Sequence, residues 1–207
     1  NLSEEQNAVF SNYVYRDANG DEIYSAGLYG IDGFIVTVEA DGQPRMANFE
    51  LVGLPDLAVK EAKERVRTAC QNSGYPFPFS RITVNLAPAD RKKEGSVFDL
   101  AIILAILQCD GIIPRDYDFS DKCYLGELSL SGEVRGVGGV LPMAISARDL
   151  GRREIFVPIE NAGEASVVDG ITVYGVRDLR QIVDHIKGKV TLTPTVFDKS
   201  VFEQKKQ

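Results

Sequence analysis

Between Ser96 and Gln108 the chain carries ten apolar residues, Val97, Phe98, Leu100, Ala101, Ile102, Ile103, Leu104, Ala105, Ile106 and Leu107. The run is too long for a strand without a turn, so it predicts a helix that is apolar on most of its circumference and therefore buried on most sides. Everything else must be arranged to enclose it. At 207 residues and 44% hydrophobic content, there is material for one substantial domain around such a helix, perhaps with a small appendage in the terminal extensions. The uninterrupted core of the run, Leu100 to Leu107, is far shorter than the roughly 20 residues a membrane span needs. The acidic N-terminus has no basic-then-apolar signal character. Three cysteines at 70, 109 and 123, odd in number and without a C-x-x-C spacing, form neither a disulfide framework nor a zinc knuckle. These features together predict a soluble protein of the reducing cytoplasm with no membrane partner.

The residues that are missing exclude much chemistry. One histidine, His185, and no tryptophan leave no Ser-His-Asp, Cys-His or multi-histidine metal constellation, and His185 reads as a surface residue near the end of a short helix. A phosphate-binding G-x-x-x-x-G-K-[ST] string is absent: the one Gly-Lys pair, Gly188-Lys189, has Val183 at the required glycine position and Val190 after it. Gly136-Val137-Gly138-Gly139 lacks the third glycine of a dinucleotide turn. With 23 basic and 30 acidic residues, a net charge of −7, the chain cannot coat nucleic acid by bulk charge, so a nucleic-acid site must be a local patch. One such patch stands out: Arg81, Asp90, Arg91, Lys92, Lys93 and Glu94 sum to +2. Arg81, Arg91, Lys92 and Lys93 are the candidate phosphate contacts, against the plainer reading of a solvated loop. Contacts from Arg91, Lys92 and Lys93 would give a log-log salt slope of about −2 to −3.

Along the chain, residues 1–23 are polar, with a turn signal at Asn19-Gly20-Asp21 and a short edge-strand candidate at Tyr13-Val14-Tyr15. Phe34 to Glu39 alternates as a strand, and Asp41-Gly42 turns it into a second strand from Met46 to Gly53, a hairpin or meander. Leu54-Pro55-Asp56 opens a helix with Ala58, Ala62, Val66 and Ala69 on one face and charges on the other, where i,i+4 pairing accounts for the lysines and arginines. Asn72-Ser73-Gly74 ends it, and Arg81 to Leu86 is a strand. Beyond the apolar helix come two strands around Ser131-Gly132, a helix from Gly139 to Leu150, a strand at Arg153 to Pro158, a helical turn at Ala162 to Val168, a strand at Ile171 to Val176 and a helix from Arg177 to Ile186. Hairpins mixed with β-α-β units predict an α+β fold with a mixed sheet packed with helices. Residues 189–207 read as a linker.

Several strings, in one order over about residues 24–188, resemble one family. They include Tyr24-Ser-Ala-Gly-Leu-Tyr-Gly-Ile-Asp-Gly33, Leu51-Val-Gly-Leu-Pro-Asp56, Ile82-Thr-Val-Asn-Leu-Ala-Pro-Ala-Asp90, Lys92-Lys-Glu-Gly95, Leu125-Gly-Glu-Leu-Ser-Leu-Ser-Gly132 and Glu160-Asn-Ala162. The family is the magnesium-chelatase-like AAA+ ATPases, the competence protein ComM family. The resemblance implies that residues 24–188 form a Lon-protease-like domain, a fold shared with a domain of a small-subunit ribosomal protein, and that 189–207 lead to an AAA+ module. ATP and Mg would belong to that module, with no cofactor in this chain. It also implies a ring-shaped homo-oligomer and DNA as a partner in branch migration. A chelatase component or a diverged Lon-type peptidase is the alternative. The protease's serine string aligns with Glu94-Gly95-Ser96-Val97-Phe98-Asp99 and its lysine follows Gly138-Gly139, so the two catalytic positions are Val97 and Leu141. Neither side chain can act as nucleophile or base. The expectation is a domain without catalysis that serves assembly and DNA contact, with Val97 and Leu141 close together.

Overall fold

A computed structural model describes residues 22–198; the turn and edge-strand candidates before Glu22 lie outside the described residues. Ten strands are found there: β1 Ile23–Tyr29, β2 Asp32–Gln43, β3 Asn48–Val52, β4 Arg81–Ala87, β5 Lys122–Tyr124, β6 Glu127–Leu128, β7 Val134–Arg135, β8 Glu154–Pro158, β9 Thr172–Val176 and β10 Pro194–Thr195. The α-helices are α1 Leu57–Lys60, α2 Ala62–Asn72, α3 Asp99–Cys109, α4 Val140–Asp149, α5 Ala162–Ala165 and α6 Leu179–Ile186. Eight strands form one mixed sheet in the order β10-β9-β8-β5-β1-β2-β4-β3, and β6 and β7 pair separately.

The mixed sheet packed with helices is as expected, but its class is α/β rather than α+β. The pairings β3–β4, β1–β5, β5–β8 and β8–β9 are parallel, and helices lie on both faces. The two faces can be read from the register at β1–β2, where Gly27 opposes Phe34. A methyl group at Gly27 would meet the rings of Phe34 and Phe98, so this face looks toward α3. On the opposite face a methyl group at Gly33 would strike the carbonyl oxygen of Pro142 at 2.4 Å, which is the close approach of α4. A side chain at either glycine would push a helix layer away from the sheet.

The apolar helix begins at Asp99, three residues later than the pattern suggested, and every residue from Asp99 to Gln108 is buried. Asp99 is the exception that the apolar reading did not weigh. Its carboxylate accepts from Arg65 Nε at 2.7 Å, from Arg65 Nη2 at 3.0 Å and from the Leu128 N–H at 3.0 Å. Burial pushes the Asp99 pKa up, opposed by that guanidinium and N–H, while the Arg65 pKa is raised by its partner. The charge on the polar side of α2 therefore has a structural use beyond helix pairing.

Other readings change as well. Strands β2 and β3 are not a hairpin, because β4 inserts between them, antiparallel to β2 and parallel to β3; the hairpin is β1–β2. The segment from Cys123 to Leu130 is not one strand, since Gly126 at φ 157° turns it out of the main sheet after β5 and into the small β6–β7 ribbon. His185 is half-buried rather than free on the surface. Its ring lies 5.6 Å from that of Phe156 and 5.9 Å from that of Tyr174, and its Nδ1 accepts the Leu192 N–H at 3.1 Å. Past residue 188 the chain continues along the sheet, where β10 pairs antiparallel with β9.

Replacing Asp99 by alanine strands a largely buried guanidinium and an N–H, and is expected to cost about 3 kcal/mol of stability, measured by urea unfolding. Burial lowers the His185 pKa below its ordinary 6.5, with Glu154 pulling the other way and Lys122 adding to the lowering. The unfolded chain then takes the proton more readily, so the contribution of neutral His185 is complete above about pH 6.5 and is lost as the pH falls through the folded-state value. His185→Gln is expected to flatten the fall in thermal stability below pH 6.5; an unchanged slope would refute that assignment.

Candidate functional site

The loop after β4 is fastened at its far end by a buried cation. Lys93 is fully buried, and its ammonium donates to the carbonyl oxygens of Gly53, at 2.6 Å, and Pro88. Backbone bonds add to this clamp: Asp56 N–H donates to the Lys93 carbonyl at 2.9 Å and Lys93 N–H to the Leu54 carbonyl at 3.0 Å. Asp56 also caps α1 through its Oδ1, which accepts the Val59 N–H at 2.7 Å. Gly53 has no alternative here, because its φ is 102° and a methyl group would fall 1.9 Å from the Leu86 oxygen. Burial lowers the Lys93 pKa, yet its two carbonyl acceptors satisfy the charged form.

The four predicted phosphate contacts are thus not one patch. Lys93 is a correction: it points inward and ties the loop together, because two carbonyls and a backbone bridge claim it. Arg81 is exposed at the opposite end of β4, roughly 20 Å along the strand from the loop at 3.3 Å per residue. Arg91 and Lys92 remain, both exposed. The Arg91 guanidinium sits 5.2 Å from the Phe34 ring centroid and 5.9 Å from that of Tyr29, and Lys92 Nζ meets Glu94 Oε1 at 3.1 Å. That ion pair is exposed and worth little, so it holds Lys92 only weakly.

Beside the loop lies a cavity of about 540 Å³ at the ends of β1, α3 and α4, with Val97, Leu28 and Met143 as apolar lining and Gly136 to Gly139 along one wall. Val97 is buried and its carbonyl accepts the Gly126 N–H at 2.9 Å. Leu141 stands in the first turn of α4, two residues after the wall's last glycine, and its N–H donates to Glu164 Oε1 at 3.3 Å. The glycine wall is pinned by Asn161, whose side chain accepts the Val137 N–H and donates to the Val137 carbonyl, both at 2.9 Å. Asn161, part of the Glu160-Asn-Ala162 motif, thus has a structural role in this pair of hydrogen bonds. Ser96 donates its hydroxyl to Glu127 Oε2. The cavity lining includes no lysine or histidine, and the acceptor of the Ser96 hydroxyl is the Glu127 carboxylate. Among the described residues no three His, Cys, Asp or Glu side chains could jointly hold a metal ion, and no helix is long and apolar enough to cross a membrane.

With this geometry in hand, residues 38–161 match the family profile described as subunit ChlI of Mg-chelatase. The chain belongs to that Mg-chelatase-like family. It is 40% identical over 174 residues to competence protein ComM of Haemophilus influenzae, covering 82% of this chain and 33% of that protein. It is 43% identical over 169 residues to an uncharacterized protein of Mycobacterium tuberculosis, with the same coverage. A more distant likeness, 27% over 174 residues, is to Lon protease 2 of Thermus thermophilus, 77% of this chain and 21% of that protein. The chain spans about a third of the length of the ComM and mycobacterial relatives.

Lys93→Met keeps the apolar stem and removes the ammonium, leaving two carbonyls without their charged donor. We expect a loss of about 1.5–3 kcal/mol in unfolding free energy, read by urea titration. A Lys93→Met protein as stable as wild type would mean the clamp is held by backbone bonds alone.

Proposed function

We propose that this chain is a non-catalytic, Lon-like N-terminal accessory domain of a ComM-type Mg-chelatase-like AAA+ ATPase, serving ring assembly and DNA contact in branch migration. The observation that carries the reading is the loop after β4, whose buried Lys93 fixes it so that Arg91 and Lys92 project to solvent. The Lon-like positions support the non-catalytic part, since Val97 and Leu141 present only hydrocarbon where a nucleophile and a base would be needed. The likeness to a Lon protease and to ComM supports the domain's place in a larger ATPase. In this reading ATP and Mg are bound by the AAA+ module, and the ring is built from copies of the complete protein in the cytoplasm. This chain's residues supply positioning: Arg91 and Lys92 meet phosphates, which carry no sequence information, and the acidic remainder keeps the domain from binding DNA elsewhere.

Two contacts in place of three lower the expected salt dependence. A salt titration of the 207-residue chain with a labelled single strand is expected to give a log-log slope of about −1.4, at 0.7 per phosphate. The double variant Arg91→Ala/Lys92→Ala is expected to lose most of that slope, whereas Arg81→Ala keeps it. Equal affinity and slope for wild type and the double variant would refute the loop as a DNA contact.

A further inference from the structure

The tip of the β1–β2 hairpin adjoins the basic loop and has no role in the fold described so far. Tyr29 is 74% exposed and Ile31 89% exposed, on either side of Gly30, whose φ of 63° makes the turn. Large apolar groups at such exposure gain nothing from the core, and Tyr29 has the Arg91 guanidinium over its ring. An open groove of about 680 Å³ runs between this tip and the loop, lined by Tyr29, Gly30, Arg91 and Lys92 together with Asp90 and Glu94. The lining charges cancel, two basic against two acidic, so bulk attraction cannot be what recruits a polyanion here. What the groove does offer is an aromatic face beside one arginine that forms no ion pair among the described residues.

We infer that Tyr29 is a stacking platform for an unpaired base of single-stranded DNA, with Arg91 meeting the adjoining phosphate. The inference rests on the DNA-contact reading above and names the form of DNA that the site takes. Base stacking on an aromatic ring tolerates any sequence, because every base has a flat π face. In a duplex those faces are already covered by neighbouring base pairs, so the platform selects unpaired strands.

Stacking and phosphate contact leave different signatures, because only the second releases counterions. The experiment measures binding of the 207-residue chain to a single-stranded oligonucleotide containing 2-aminopurine, across a salt series, with a duplex of the same sequence alongside. Tyr29→Ala is expected to weaken single-strand binding by about 5- to 140-fold at every salt concentration, a parallel displacement with the slope retained. It should also abolish the quenching of 2-aminopurine that stacking produces, while Tyr29→Phe retains both. Arg91→Ala is expected instead to reduce the slope by about 0.7. Because Tyr29 is exposed, thermal unfolding of Tyr29→Ala should match wild type and so exclude a folding defect. Wild-type affinity and quenching in Tyr29→Ala, or equal affinity for duplex and single strand, would overturn the stacking platform; an Arg91-dependent slope in the same data would leave the phosphate contact standing. No binding to any oligonucleotide would overturn both.

Discussion

The Asp99 carboxylate joins three segments of the chain that are far apart in sequence. It receives a two-pronged guanidinium from α2 and the backbone N–H of Leu128 in β6 while standing at the first turn of the most apolar helix. A buried charge is tolerated only when its oxygens are satisfied, and here the satisfaction fixes geometry. The fork of Arg65 ties α2 to the start of α3, and the Leu128 bond holds the β6–β7 ribbon against the same carboxylate once Gly126 has turned the chain out of the main sheet. The sheet faces then close around α3 on one side and α4 on the other, with Gly27 and Gly33 allowing the approach.

Much of this was legible in the sequence where local chemistry decides. The apolar run, the helix start at Leu54-Pro55-Asp56, the glycine-ended helices and the strands at β4, β8 and β9 each carry their signal within a few residues. What was not legible depends on partners far along the chain. Nothing near Asp41-Gly42 says that β4, some forty residues later, will insert between β2 and β3, so the local turn signal was read as a hairpin. The site shows the same limit more sharply. Arg91, Lys92 and Lys93 are three adjacent cations with the same propensity for water, and only the carbonyls of Gly53 and Pro88 distinguish the one that turns inward. Gly53 and Leu54 adopt positive φ, a turn that the Lys93 ammonium helps to hold, and neither that conformation nor its holder can be read from the sequence.

His185 illustrates how one side chain can serve two kinds of contact. As the lone histidine it invited a search for catalysis, and its sequence setting suggested mere exposure. The structure gives it an aromatic neighbourhood on one side and a backbone N–H on the other, so it joins α6 to the segment that returns to the sheet. The motif residue Asn161 plays the analogous part at the cavity, its amide satisfying both backbone groups of Val137. In each case the polar side chain finishes a backbone that would otherwise lack partners.

The strand β10 is two residues long and begins with Pro194. An outermost strand ordinarily exposes a row of free N–H and C=O groups on which another polypeptide can build. Proline has no N–H to contribute, and two residues are too few to template a further strand. This short cap therefore closes the β9 side of the sheet against runaway strand addition, a protection that matters most for a protein whose proposed working form crowds identical copies side by side.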